Sequence, residues 1–214
     1  MVIVFEQASQ RMAVVKQLVG QVIKRKQQAL ILVPEVSCLN DWLKFELGEK
    51  IIFYNAQLKK TKQRQIWQAV KNGTAGVVVA TRAALFLPYQ NLGGVIVDLA
   101  ENENYKQWDQ TPRYDSLTVA GWLADISGAS LAYVSSAPSL ELWSQAERGQ
   151  VTFKFLSGHG AEFVSIDRSS EPINKKQLIS YQLQQQIADN LTNHRLVYLY
   201  LNRYGTATAL LCAD

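Results

Sequence analysis

The stretch GVIVDLAENENYKQ, residues 94–107, decides how the rest of the chain is read. Val95, Ile96 and Val97 form a continuous apolar run of the kind that fits a strand buried on both faces of a parallel sheet. The run delivers Asp98 to the strand's end, where a carboxylate can hold a divalent cation. In a nucleotide-hydrolysing site a second acid would follow directly and orient water. Here Leu99 and Ala100 follow, so that second function has no side chain to carry it.

Similar apolar runs recur on either side: VIVF (2–5), ALILV (29–33), IIFY (51–54), GVVVA (76–80) and SLAYVS (130–135). Between them the spacing predicts helices near 9–26, 38–48, 60–72, 114–127 and 138–149. In the first of these, Val15, Leu18, Val19, Val22 and Ile23 fall on one helical face. Strands alternating with helices predict an α/β domain built on a parallel sheet with right-handed crossovers. LSGHGAEF (156–163) reads as a connector, followed by a strand FVSI, a helix over about 174–193 and a strand LVYLYL (196–201). That βαβ unit is too small to bury a sheet by itself. The expected division is therefore 1–156 and 157–214.

The chain has 214 residues, 48% of them hydrophobic, and no apolar run as long as a membrane span. MVIVFEQASQ lacks the features of a signal peptide. Cys38 and Cys212 are far apart and outside any CxxC spacing, so no disulfide framework is expected and the cytoplasm is the expected compartment. Net charge is +4 but unevenly spread. Residues 1–75 carry 12 Lys/Arg against 5 Asp/Glu, or +7, whereas residues 76–160 carry 5 against 8, or −3. The excess sits in KRK (24–26) and KKTKQR (59–64), which can attract phosphates or simply be solvated helix ends.

Several stretches then occur in a telling order: LVPEVS (32–37), Trp67, Gly73, VVVATRAALFLPYQNL (77–92), VIVD (95–98), YKQ (105–107), PRYDS (112–116), SSAPSLE (135–141) and LNRYGTATALLC (201–212). In order and distance they resemble the helicase core of the primosomal protein N′ family, the replication-restart helicases of superfamily 2. TRAALFLP and LNRYGTA are its most specific stretches. The resemblance covers nearly the whole chain. It implies a RecA-like helicase lobe with a parallel sheet flanked by helices, plus the beginning of a second such lobe. For the family it implies ATP-dependent DNA unwinding in replication restart.

The departures fall on nucleotide chemistry. The family's glycine-rich phosphate loop maps onto Phe5-Glu6-Gln7-Ala8-Ser9-Gln10-Arg11-Met12, which contains no glycine. Glycines let successive N–H groups close around phosphate oxygens. Glu6 would set like charge beside a triphosphate, and Met12 replaces the magnesium-ligating hydroxyl. Arg11 keeps the charge of the lysine but not its compact shape. The family's DEEH becomes Asp98-Leu99-Ala100-Glu101, and its GSATPS becomes Ser135-Ser136-Ala137-Pro138-Ser139, without the threonine. The degenerate nucleotide site is therefore expected at Ser9, Arg11 and Asp98, with Asp98 the one remaining magnesium ligand, ATP and magnesium held weakly if at all, and ATP turnover lost.

The resemblance places DNA contacts on better-kept residues. Thr81 and Arg82 match a motif aimed at the DNA backbone. Tyr105, Lys106, Trp108 and Arg113 fall in a loop resembling the family's aromatic-rich loop. Cations meet phosphates and aromatic faces stack on unpaired bases. Tyr114 and Trp122 admit a second reading, as core of the following helix. His159 and His194 lack ligand spacing, Cys212 matches the start of the family's zinc insertion without a second pair, and Ser135 and Ser136 have no base nearby, so zinc and a hydrolase triad are not expected. The expected function is binding of single-stranded or forked DNA. A scaffold for other replication or primosome proteins is the alternative, as is an ATP-dependent helicase fragment completed by missing domains.

Overall fold

The computed structural model describes residues 1–5, 7–43, 51–108, 111–156 and 179–199. The chain divides into two compact units, Met1–His159 and Gly160–Asp214.

The first unit is built on a seven-stranded sheet in which every pairing is parallel. Its strands are β1 (Val2–Val4), β2 (Gln28–Leu32), β3 (Ile51–Tyr54), β4 (Val77–Ala80), β5 (Leu92–Asp98), β6 (Ser130–Ser135) and β7 (Phe153–Phe155), in the spatial order β3-β4-β2-β5-β6-β1-β7. β2, β4 and β5 are buried along their whole length, as continuous apolar runs in a doubly covered sheet should be.

The helices are α1 (Ala8–Lys24), α2 (Lys60–Lys71), α3 (Ser116–Ser127) and α4 (Leu140–Glu147). Alternation along the strands separates two cores. Ala29, Ile31, Ile96 and Val79 join Val14, Val15, Val19 and Val22 of α1 on one face. Leu30, Leu32, Val95, Val97 and Val78 meet Ile66 and Val70 of α2, Ala120 and Ala124 of α3 and Leu142 of α4 on the other. Asp98 shares the α1 side with Ile96 by the two-residue period of the strand. α1 rides close over β5: a Cβ added at Gly94 would lie 2.6 Å from Val22 Cγ2.

Two expectations are corrected and one strand was not anticipated. The helix expected over 38–48 is a 3₁₀ helix, Val36–Trp42; Leu39 and Trp42 are both buried three residues apart, which suits i,i+3 turns, and residues 44–50 lie outside the description. β7 has no counterpart in the sequence reading, because three residues at a sheet edge carry too little pattern. In the second unit α5 (Tyr181–Thr192) forms within the expected helix, but residues 196–199 are not a strand, since no described strand pairs with them. FVSI and LNRYGTA lie outside the described residues. No described helix is long and apolar enough to cross a membrane.

Candidate nucleotide edge and nucleic-acid groove

The C-terminal ends of parallel strands are the usual ligand edge of an α/β sheet. Asp98 ends β5 there, and the first turn of α1, which follows β1, lies beside it. Arg11 Nε is 3.1 Å from Asp98 Oδ1, and Arg11 Nη2 donates to Asp41 Oδ2 at 2.8 Å. The phosphate-loop cation and the metal-ligating acid of the sequence reading are thus brought together, and each engages the other. Asp41 joins them from the 3₁₀ helix that follows β2. It was missed because its stretch read as an ordinary helix. Ser9 is not part of this cluster; it is exposed on the first turn of α1. Glu6 lies outside the described residues.

Asp98 is fully buried, and neither carboxyl oxygen receives a well-aligned hydrogen bond from the described residues. Burial pushes its pKa up to about 6, against the pull of the Arg11 charge. Burial also works against the Arg11 charge, but Asp98 and Asp41 more than offset it, and the guanidinium holds its proton more tightly than usual. For Asp98, the Arg11 charge and the Leu99 backbone N–H both pull downward, and burial with the nearby Asp41 and Glu101 charges outweighs them. Leu99, directly behind, takes a φ of +53°, where an unbranched glycine would be at ease and a leucine costs about 1–2 kcal/mol. Its side chain packs against the α1-side core, and its carbonyl accepts from Asn102 N at 2.9 Å.

Glu101, the last residue of the Asp98–Glu101 stretch, ties β5 to β6. It accepts from Ser135 Oγ at 2.8 Å, Ser136 Oγ at 2.6 Å and Ser136 N at 3.2 Å. The two serines therefore serve as donors to a neighbouring strand end.

Beside this cluster lies an open groove of about 490 Å³, lined by residues that follow four strand ends, among them Glu35, Asn55, Thr81, Arg82, Asn104 and Tyr114. Thr81 and Arg82 leave β4 and are half-buried. Arg82 Nη1 donates to Asn104 O at 3.2 Å, and the rest of its donor fork has no partner among the described residues. Gln107 N donates to Tyr114 O at 3.0 Å, and Lys106 and Asp115 form an antiparallel bridge, so the loop between them is closed at its base. Trp108, 70% exposed, and Arg113, exposed, sit on that loop. Lys106 is 3.7 Å from Glu141 and half-exposed, a weak surface pair.

Tyr105 is a correction. It is 1% exposed, and its hydroxyl lies 2.9 Å from Leu32 O and 2.6 Å from Asp98 O. The polar neighbours Asn104 and Lys106 made it read as a loop-surface aromatic. Its hydroxyl instead serves carbonyls at the ends of β2 and β5, which lets the ring go into the core. It cannot offer a face to a base. Tyr114 is half-buried, packing on the core and meeting Phe86 edge-on, so both of its readings have a basis.

Comparison with known proteins agrees with the ordered motifs. No protein-family profile matches the chain. Curated proteins called replication restart protein PriA do. The one from Rickettsia felis is 28% identical over 204 residues, covering 91% of this chain and 31% of the relative. The one from Haemophilus influenzae is 29% identical over 206 residues, covering 92% and 28%. The one from Synechocystis is 33% identical over 137 residues, covering 63% and 16%. The chain thus spans less than a third of the length of these relatives. Among solved structures, the C-terminal domain of Saccharomyces cerevisiae Dbp5 matches with a TM-score of 0.52 at 14% identity, over 73% of this chain and 88% of that domain. The DEAD-box helicase Mss116 matches with a TM-score of 0.51 at 14% identity, over 74% of this chain and 32% of that one. The fold is therefore RecA-like, and the sequence is similar to replication restart protein PriA along nine-tenths of its length.

Proposed function

We propose that this chain is a PriA-like replication-restart protein that binds DNA, single-stranded or forked, without turning over ATP. One observation carries the reading. Arg82 and Tyr114 line an open groove at the sheet's ligand edge, and Trp108 and Arg113 are exposed on the loop between two of its lining residues, Gln107 and Tyr114, while Arg11 and Asp98 at the same edge are spent on each other. ATP and magnesium do not fit the second cluster. The one carboxylate that could hold the metal is fully buried against a guanidinium, and the preceding loop has no glycine to wrap phosphates. Zinc has no place in this reading. The second unit is read as the start of a second helicase lobe, and the cytoplasm as the place of action.

Phosphate contacts release counterions, so affinity should fall steeply with salt. Arg82→Ala is expected to weaken binding of a single-stranded oligonucleotide and to lower the salt slope by about one. Trp108→Ala is expected to weaken it about tenfold at constant salt, the scale of one lost base stack, with the thermal midpoint unchanged. Fluorescence anisotropy across a salt series reads both. If the wild type has no affinity at low salt, or neither variant changes it, the DNA reading fails. A surface for another replication protein would then stand in its place. That second reading draws on Trp122 and Ile126, 61% and 86% exposed one turn apart on α3.

A further inference from the structure

We infer that Phe86, backed by Tyr114 from the groove's lining, is a stacking platform for one unpaired nucleobase, which favours unstacked strand over duplex. The inference rests on the DNA-binding reading above and adds to it a residue and a ligand chemistry. Phe86 closes the short 3₁₀ helix Arg82–Phe86 that follows β4. Its neighbours on both sides are buried: Ala84 and Leu85 before it, Leu87 after it. Tyr89 Oη donates to Ala84 O at 3.0 Å, and Leu87 N donates to the same carbonyl at 3.2 Å. With Leu85 and Leu87 both anchored in the core, the ring between them is directed outward and is 64% exposed. Leaving a phenylalanine in water forgoes about 1.5–3 kcal/mol of burial. Such an aromatic, held rigidly at the surface, is suited to covering a partner's apolar face.

The partner's chemistry follows from what surrounds the ring. Tyr114 meets Phe86 edge-on, with centroids 5.6 Å apart and planes at 88°. A T-shaped contact fixes one ring's orientation while keeping a broad π-face available. Arg82 begins the same short helix that Phe86 ends, so one five-residue element carries both a cation and an aromatic ring, the two chemistries that a phosphate and a base call for. The groove also offers the uncharged amides of Asn55 and Asn104, and one acid, Glu35. Glu35 disfavours phosphate on its side and leaves Arg82, the cation of the lining, to meet the backbone. Bases within a duplex have their faces buried in the stack, so only an unpaired or extruded base can lie on Phe86.

The test compares an oligothymidylate with an abasic oligomer of the same length, which keeps the phosphates and removes the bases. Affinities are read by anisotropy at one salt concentration for wild type, Phe86→Ala and Phe86→Trp. The expected result is a loss of about tenfold in oligothymidylate affinity for Phe86→Ala, restored by Phe86→Trp, with abasic affinity unmoved by either. Because Phe86 is exposed, the thermal midpoint should hold and serves as the folding control. If Phe86→Ala lowers affinity for both oligomers alike, or for neither, the platform is refuted while the salt-dependent DNA reading survives. If wild type binds neither oligomer at low salt, the DNA reading itself fails and takes the platform with it.

Discussion

Asp98 gives the first unit a pH-dependent term of stability. Its carboxyl titrates near 6 in the fold, against about 4 in an unfolded chain. A raised folded pKa contributes stability that is fully present below about pH 4 and is lost as pH rises through 6. Asp98→Asn removes that term, so its stability relative to wild type should rise between pH 4 and 7 by about 2–3 kcal/mol. Urea unfolding at several pH values reads it, and a constant difference would show that Asp98 is not held as described. Arg11→Ala should cost about 3–5 kcal/mol at pH 7 by leaving a buried carboxylate without its cation, and less at pH 5 where that carboxylate can take a proton. The sequence marks Arg11 and Asp98 as individual oddities, an arginine for a lysine and an aspartate without its glutamate. It does not disclose that each answers the other, because their contact, and that with Asp41, spans distant parts of the chain. Tyr105 misled for a similar reason, since its two carbonyl acceptors belong to strand ends that no local pattern brings to it.

Among elements, the strands were legible because each buried run is apolar throughout and is bounded by glycine or polar residues. The helix faces were legible because Val15, Val19 and Val22 repeat at helical spacing. What escaped is the cross-linking of elements by buried polar groups. Gln28 opens β2 and is 3% exposed. Its amide nitrogen donates to Val70 O and Ala75 O, both at 3.0 Å, and its oxygen accepts from Gln90 N at 2.8 Å and Asn91 N at 3.1 Å. One side chain thus joins the end of α2 to the entry of β5. Gln28→Leu keeps the volume and strips four backbone groups of that partner, at an expected cost of about 3 kcal/mol. In urea the midpoint should fall with the slope unchanged. A neutral outcome would mean that water or relaxation satisfies these groups as well as Gln28 does.

For the whole first unit, the all-parallel sheet brings three separate signals to one edge: the Arg11–Asp98–Asp41 cluster, the Thr81–Arg82 turn and the loop that carries Trp108. The order of motifs along the chain anticipated that gathering, since strand ends carry each of them. Phe86 was visible only as part of TRAALFLP; its exposure between two buried leucines needed the fold. The charge imbalance anticipated less, for the basic clusters at 24–26 and 59–64 lie outside the groove's lining. A single titration tests the central claim that DNA binding outlasts nucleotide chemistry here. It measures the affinity of the wild-type chain for a fluorescent single-stranded oligonucleotide across a salt series, with and without saturating ATP and magnesium. The account expects tight binding at low salt, a steep linear fall of log affinity with log salt, and coincident curves in the two conditions. Absence of binding at low salt, or an affinity that changes with ATP beyond the effect of magnesium alone, would contradict it.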